Sequence, residues 1–190
     1  IIIRQELNVL SACWPVFLGV LAIQASHDGA HHAIARRRGI RLGWPLLLPS
    51  WRIGMFGSVT PFRSFPPNRS AVFDVALSGP MTAMAVSLFF VIVGCYGTVH
   101  ASSTALTRFP AIAAGSLRSS FLSASLLTFL IPKAMLLPLS QPIPVHPLFL
   151  AGFAGTVASA LNLLPIFRLD GGRACNAAMG MRFGAIASSW

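Results

Sequence analysis

The chain has 190 residues, of which 55% are hydrophobic and only 9% are charged, and its mean hydropathy is +0.73. Because soluble globular domains carry roughly 25% charged residues, this composition predicts an integral membrane protein embedded in a lipid bilayer. The formal net charge of +10 fits the excess of basic residues on one side of membrane proteins, and the chain lacks the polar surface that a nucleic-acid-binding face requires.

Both ends of the sequence look cut, since the first residue is Ile1 rather than methionine and Trp190 ends the chain without a polar tail. We therefore expect residues 1–190 to be a single membrane-embedded domain that is a fragment of a longer protein. Its apolar segments predict an all-α polytopic membrane protein with a core of three transmembrane helices, near 8–35, 73–97 and 147–167.

The first apolar segment, residues 8–35, contains the stretch His27-Asp28-Gly29-Ala30-His31 near its end. From Val16 to Ala35 it has 20 residues, which form about 30 Å of helix, enough to cross a bilayer. Because residues four apart lie on one face of a helix, His27 and His31 are expected to point toward one ion. The arginines that follow place this end on the cytoplasm-equivalent side of the membrane: Arg36, Arg37, Arg38 and Arg41.

Residues 43–72 are rich in proline and glycine, with β-forming residues between them, and they predict a β-hairpin or a re-entrant loop between the first two helices. An open strand edge in this segment would pair with an extended substrate. The alternative is an ordinary surface loop in which Trp44 and Trp51 are anchors at the membrane interface.

The second helix, residues 73–97, carries Asp74 near its start, where we expect a helix cap.

Residues 118–139 are apolar but interrupted by proline and lysine, and we expect a re-entrant or surface-lying segment there. A full crossing would deliver the acid that follows the last helix to the wrong face of the membrane. The last helix, 147–167, runs into Asn162-Leu-Leu-Pro165 and then Leu169-Asp170-Gly171-Gly172-Arg173.

Two histidines four residues apart, with an acid after the first, follow the zinc-binding pattern H-E-x-x-H. A catalytic zinc has three protein ligands and one open position for water. His27 and His31 supply two ligands, and Asp170 is the best third among the remaining acids because the glycines after it allow close backbone approach. Taken alone, the histidine pair is also compatible with haem binding or with simple packing.

Asp28 occupies the position of the general base, which takes a proton from zinc-activated water and passes it to the leaving amine. Aspartate is one methylene shorter than glutamate, which removes roughly 1.5 Å of reach. Asn162, inside a membrane helix, either bonds a neighbouring backbone group or donates to a substrate carbonyl during catalysis.

The combination of the histidine pair with Leu77-Ser78-Gly79-Pro80, Asn162-Leu-Leu-Pro165 and Leu169-Asp170-Gly171-Gly172-Arg173 resembles the site-2 protease family of intramembrane zinc metalloproteases. The stretch from Pro49 to Ser64, with Asn68, Arg69 and Asp74, is similar to the plastid and cyanobacterial branch, whose plant members are the ethylene-dependent gravitropism-deficient and yellow-green proteins. The resemblance covers residues 20–180.

The resemblance implies zinc held by His27, His31 and Asp170, and cleavage of membrane-spanning protein substrates within a chloroplast membrane, thylakoid or plastid. Asp28 departs from the glutamate of the family, and some members of this branch that lack the full motif are regarded as inactive. The alternative is therefore a weak or inactive relative that acts as a zinc- or partner-binding membrane protein. Nothing in the sequence indicates an oligomeric state.

Overall fold

The computed structural model describes residues 2–50, 54–119, 124–125, 128–129, 132, 136–166 and 169–180. Over these residues the chain is mostly helical, with short strands between the helices. In chain order the elements are α1 (Ile2–Arg37), β1 (Leu46–Ser50), β2 (Gly54–Val59), α2 (Arg69–Val99), α3 (Ser103–Leu106), β3 (Ala111–Ala113), α4 (Ala114–Arg118), β4 (Pro142–Pro144), α5 (Pro147–Asn162) and α6 (Asp170–Met179).

Helix α1 begins earlier than residue 8 and ends two residues beyond the predicted end, at Arg37. Its end is a Schellman motif around Gly39, which has a φ of +69°. The amide of Ile40 donates to the carbonyl of Ala35 at 2.9 Å, and the amide of Gly39 donates to that of Arg36 at 3.2 Å. The helix therefore stops where a glycine adopts the left-handed conformation at little cost.

Helix α5 ends at Asn162, five residues before the predicted end at 167. Pro165 is the physical reason, because proline cannot continue a helix and disfavours helical backbone in the residue before it. The 16 residues of α5 form about 24 Å of helix, which is shorter than the hydrocarbon core of a typical bilayer.

Within the described part of the chain, α2 alone is long and apolar enough to cross a membrane, with a mean hydropathy of 2.0 over its most apolar stretch. Helix α1 carries polar side chains in its C-terminal half, among them Gln24, Asp28 and His32.

Strands β1 and β2 form an antiparallel pair inside the predicted 43–72 segment, with Leu46 opposite Val59 and Ser50 opposite Gly54. The register shifts between Leu48 and Pro49, as expected where a proline lacks the amide for a ladder bond. The residues that join the strands, including Trp51, lie outside the described residues, as does much of the predicted re-entrant segment at 118–139.

The chain divides into two compact units, and the first comprises Ile1–Leu21 and Ser87–Ala154. Its core packs the second half of α2 against the start of α5. A Cβ atom at Gly94 would lie 2.2 Å from the backbone nitrogen of Phe149, and one at Gly152 would lie 2.5 Å from the carbonyl oxygen of Ser87. Glycine at these two positions therefore permits near-contact of the helix backbones.

The second unit comprises Ala22–Val86 and Gly155–Trp190. Its apolar cluster consists of residues from the end of α1 and the start of α2: Ala35, Ile40, Ala71 and Val75. Helix α2 is capped by Asn68, whose side-chain oxygen accepts from the amide of Ala71 at 2.8 Å. The expected cap role of Asp74 is therefore wrong: Asp74 lies one turn inside the helix and forms an ion pair with Arg38.

Candidate metal centre

Two histidines of α1 and the aspartate that begins α6 meet in one buried group. His27 and His31 lie one turn apart on the same face of α1, and their Nε2 atoms are 3.0 Å apart. The Oδ2 atom of Asp170 lies 3.2 Å from each of them. The exposed fractions of the three residues are only 2%, 4% and 7%.

The geometry of this group fits a zinc ion. Ligand atoms held 2.0–2.1 Å from a tetrahedral zinc lie about 3.3 Å from one another. The observed separations of 3.0, 3.2 and 3.2 Å describe one face of such a tetrahedron. Two imidazole nitrogens and a carboxylate oxygen are also ligand types that zinc accepts, and three protein ligands leave a fourth position open.

The backbone of α2 fixes the protonation of one imidazole. The Nδ1 atom of His31 lies 2.7 Å from the carbonyl oxygen of Val75. Because a carbonyl only accepts hydrogen bonds, Nδ1 carries a proton, and Nε2 is the ring nitrogen that faces His27 and Asp170. Positive charge beside the carboxylate comes either from protons on the imidazoles or from a metal ion bound by all three atoms.

The charge state of Asp170 suits the same role. Burial raises the pKa of its carboxyl, but hydrogen bonds from protonated His27 and His31 and the positive charge of these rings lower the pKa by more than burial raises it. The net effect places the pKa well below its usual range. Asp170 is therefore a carboxylate, the form that ligates metals.

Gly79 of α2 makes room for the His31 ring. A Cβ atom at this position would lie 2.3 Å from Nε2 of His31, closer than any real Cβ contact. Any side chain at Gly79 would therefore displace the imidazole from the group. This requirement gives a physical reason for the glycine in the Leu77-Ser78-Gly79-Pro80 stretch.

A tight connection between α5 and α6 positions Asp170. A Cβ atom at Gly171 would lie 2.1 Å from the carbonyl oxygen of Leu163, so the first turn of α6 rests directly on the end of α5. Inside the connection, the amide of Leu169 donates to the carbonyl of Ile166 at 2.9 Å. The proline that ends α5 and the glycine that follows Asp170 together bring the carboxylate to the histidines.

Arg173, one turn after Asp170, contacts the other carboxylate oxygen. Its Nη1 atom lies 3.7 Å from Oδ1 of Asp170 and donates to the carbonyl oxygen of Thr60 at 3.3 Å. Its guanidinium also lies over the ring of Phe62, 5.7 Å from the centroid. Arg173 thus attracts Oδ1 while Oδ2 faces the imidazoles, and it joins α6 to the segment after β2.

The sequence model of peptidase family M50 matches residues 15–189. The chain belongs to peptidase family M50.

The chain is similar to three plant proteins over most of its length. The chain is 33% identical over 178 residues to the probable zinc metalloprotease EGY1, chloroplastic, of Oryza sativa subsp. japonica, over 92% of this chain and 29% of the relative. The Arabidopsis thaliana protein of the same name is 32% identical over 173 residues, 90% of this chain and 30% of the relative. The probable zinc metalloprotease EGY3, chloroplastic, of Oryza sativa subsp. indica is 32% identical over 190 residues, 95% of this chain and 32% of the relative. The chain therefore spans less than a third of the length of these relatives.

The two other predicted site residues of this M50 chain lie apart from the group of three. Asp28 is half-buried on α1, where its Oδ1 accepts a hydrogen bond from Nε2 of Gln24 at 3.1 Å. Among the described residues, it is not a further member of the cluster whose ligand atoms lie within 4.8 Å of one another. Asn162 is the half-buried last residue of α5.

The sequence did not predict three features around the candidate metal centre: the Val75 carbonyl, the space at Gly79 and the guanidinium of Arg173. The carbonyl leaves no signal in a sequence, because every residue has one. Gly79 lies in the Leu77–Pro80 motif and Arg173 in the Leu169–Arg173 motif. Their positions in the sequence do not indicate that they contact His31 and Asp170.

Proposed function

We propose that this chain is the catalytic core of an intramembrane zinc metalloendopeptidase of a chloroplast membrane, with α1, α2 and α5 as its three membrane-embedded helices, of which α5 reaches only part of the way across the hydrocarbon core. The observation that carries the proposal is the buried triangle of two Nε2 atoms and one carboxylate oxygen, with sides of 3.0, 3.2 and 3.2 Å. Membership of family M50 and the names of the plant relatives support zinc, peptidase activity and the chloroplast.

In this proposal His27, His31 and Asp170 hold the zinc. When bound, zinc supplies Lewis acidity, which acidifies water and polarises a peptide carbonyl. The hydrogen bond from His31 to Val75 keeps the Nε2 lone pair directed at the site, and Arg173 holds the carboxylate so that Oδ2 faces inward.

Asp28 transfers protons in this proposal, and Asn162 orients the substrate. Asp28 follows His27 on α1, and its carboxylate takes a proton from water and returns it to the leaving amine. The hydrogen bond from Gln24 restricts where that carboxylate points. The amide of Asn162 donates to the substrate carbonyl, which orients the peptide and stabilises developing negative charge.

The substrate in this proposal is a membrane protein whose cleaved segment is extended. Strands β1 and β2 form a two-stranded sheet, and an extended peptide would add to one of its edges by backbone hydrogen bonds. The bilayer and the substrate are therefore the two partners of the chain. If residues 43–72 are instead an ordinary surface loop, substitutions in β1 and β2 should leave cleavage unchanged.

The experiment is metal analysis and cleavage of a model transmembrane substrate by the purified full-length protein. We expect about one zinc per chain, and His27→Ala should remove both zinc and cleavage. The matched control is His100→Ala, because His100 is an exposed histidine that stacks on Tyr96 and is not one of the three residues of the metal group. Cleavage that survives His27→Ala would contradict the proposal.

A second candidate function is a zinc- or partner-binding protein of low or no activity, and Asp28 favours it. The shorter carboxylate accepts from Gln24 and lies outside the cluster of three. Asp28→Glu separates the two functions. A change from no cleavage to clear cleavage would support the inactive relative, whereas equal cleavage by both forms would rule it out.

A further inference from the structure

We infer that a basic pocket beside the end of α1 binds the phosphate headgroup of an anionic membrane lipid. The pocket has a volume of about 670 Å³ and lies between the last turns of α1 and the segments around Leu42 and Arg63. Three arginines line it, Arg36, Arg41 and Arg63, together with His32. It lies in the second unit of the chain, and its lining includes none of the three residues of the metal group.

The backbone holds two of these arginines side by side. The amide of Arg63 donates to the carbonyl of Arg41 at 2.8 Å, and Leu42 pairs with Phe62 in an antiparallel bridge. The amide of Gly43 closes the ladder by donating to the carbonyl of Pro61 at 2.8 Å. Arg41 and Arg63 therefore lie opposite each other on two paired extended segments, and both side chains are exposed.

Gly43, at one end of these backbone hydrogen bonds, leaves too little room for a side chain. A Cβ atom at Gly43 would lie 2.9 Å from Cγ of Pro61 and 3.3 Å from Nε of Arg63. The side chain of Arg63 thus lies close over the backbone of the opposite strand.

None of the described residues that line the pocket is acidic. The three aspartates of the second unit have other neighbours: Asp74 pairs with Arg38, Asp170 lies against the histidines, and Asp28 accepts from Gln24. Like charges gathered without a counter-ion repel, and an anion placed among them removes that repulsion. Guanidinium groups bind phosphate oxygens with paired hydrogen bonds.

The need to satisfy backbone carbonyls at the end of α1 does not explain why the arginines cluster there. The carbonyls of Ala35 and Arg36 already accept from Ile40 and Gly39 in the Schellman motif. The guanidinium groups are therefore not needed to satisfy these two carbonyls. Their positive charge also favours an anion at a helix end whose own dipole repels one.

Exposed apolar side chains beside the arginines favour a lipid over a free phosphate. Trp44 lines the pocket and is 83% exposed, and Leu46 and Phe65, close to it in sequence, are 63% and 100% exposed. Tryptophan is enriched at the level of lipid headgroups, and basic pockets of membrane proteins bind anionic headgroups there. A headgroup with attached acyl chains matches both the charge and the apolar rim.

The inference rests on the membrane setting of the proposed function but not on its metal site. The test is native mass spectrometry of the full-length protein in detergent with phosphatidylglycerol or phosphatidylcholine. We expect selective retention of phosphatidylglycerol, and an at least tenfold loss of that retention in the double variant Arg41→Gln/Arg63→Gln. Arg37→Gln is the matched control, because it removes the same charge from the last turn of α1 but lines a different pocket, beside Asp74.

Arg36→Gln is a second variant, because Arg36 is exposed on α1 and its truncation leaves the strand ladder intact. It should also reduce retention, and the thermal unfolding temperature checks that each variant is folded. Equal retention by wild-type and both pocket variants, or an equal loss in Arg37→Gln, would overturn the inference. Competition by inorganic phosphate at the same concentration as the lipid would identify a free anion instead. Zinc content and cleavage are measured on the same samples, so failure of the metal site is distinguished from failure of the pocket.

Discussion

The Nδ1 atom of His31 lies 2.7 Å from the carbonyl oxygen of Val75, so a backbone group of α2 determines which nitrogen of a buried imidazole faces the candidate metal centre. This hydrogen bond cannot be removed by a side-chain substitution at Val75. It can be disturbed by moving α1 relative to α2 or by rotating the His31 ring. Gly79, one turn further along α2, leaves the space that the ring occupies.

Gly79→Ala is expected to abolish zinc binding. The added methyl group would overlap the His31 ring, because its position lies 2.3 Å from Nε2 and 2.7 Å from Cδ2. The ring must then rotate away from His27 and Asp170. Zinc content should fall from about one per chain to less than about 0.2, because a site with one ligand displaced is no longer a complete three-residue site.

The control for that variant is Gly29→Ala. Gly29 is exposed on α1, between the two histidines, and no atom lies within 4 Å of a Cβ built there. Alanine should stabilise the helix by up to about 1 kcal/mol and leave zinc content unchanged. Zinc retained by Gly79→Ala at the level of Gly29→Ala would show that the packing against His31 is not needed.

Arg173→Gln is expected to lower zinc affinity about tenfold, the usual cost of losing a group that orients a ligand. The substitution removes the cation that attracts Oδ1 of Asp170 and the donor to the Thr60 carbonyl. Competition with a chelator of known affinity measures the effect. Arg108→Gln, an exposed arginine in the first unit, is the control for the loss of one positive charge. Unchanged affinity in Arg173→Gln would contradict the orienting role.

His146 is expected to make the first unit less stable in mild acid. Burial lowers the pKa of His146 below its ordinary value of 6.5, and its Nδ1 accepts from the amide of Leu148 at 3.2 Å. The unfolded chain therefore binds a proton more readily than the folded chain. Stability should fall as the pH drops through about 6.5 toward the folded pKa.

Thermal unfolding between pH 8 and pH 5 measures this dependence. His146→Asn should weaken it, because asparagine keeps an acceptor near the start of α5 but does not titrate. His100→Asn is the control, since His100 is an exposed histidine. A pH dependence that is unchanged in His146→Asn would assign the acid sensitivity to other groups.

The features that the sequence predicted best are those governed by local periodicity. The spacing of His27 and His31 requires a shared helix face, and the structure brings their Nε2 atoms to 3.0 Å. The glycines after Asp170 indicated a close backbone approach, and Gly171 does rest against Leu163. Proline and glycine also predict where helices stop, although Pro165 ended α5 earlier than its apolar run suggested.

Features that depend on contacts distant in sequence were not predicted. Asp74 was expected to cap α2, but the helix begins at Arg69 with Asn68 as its cap, and Asp74 lies inside the helix and pairs with Arg38, 36 residues away in the chain. The basic pocket depends on the pairing of Arg41 with Arg63, which the arginine run alone did not indicate. Both outcomes follow from tertiary pairing, which a reading of local pattern does not determine.

The most direct test of the central claim is zinc K-edge X-ray absorption on the purified full-length protein. We predict one zinc per chain with a first shell of nitrogen and oxygen atoms at about 2.0–2.1 Å, including two imidazoles. Asp170→Ala should lose this signal. A sulfur shell at about 2.3 Å, or an unchanged spectrum in Asp170→Ala, would contradict a site built from His27, His31 and Asp170.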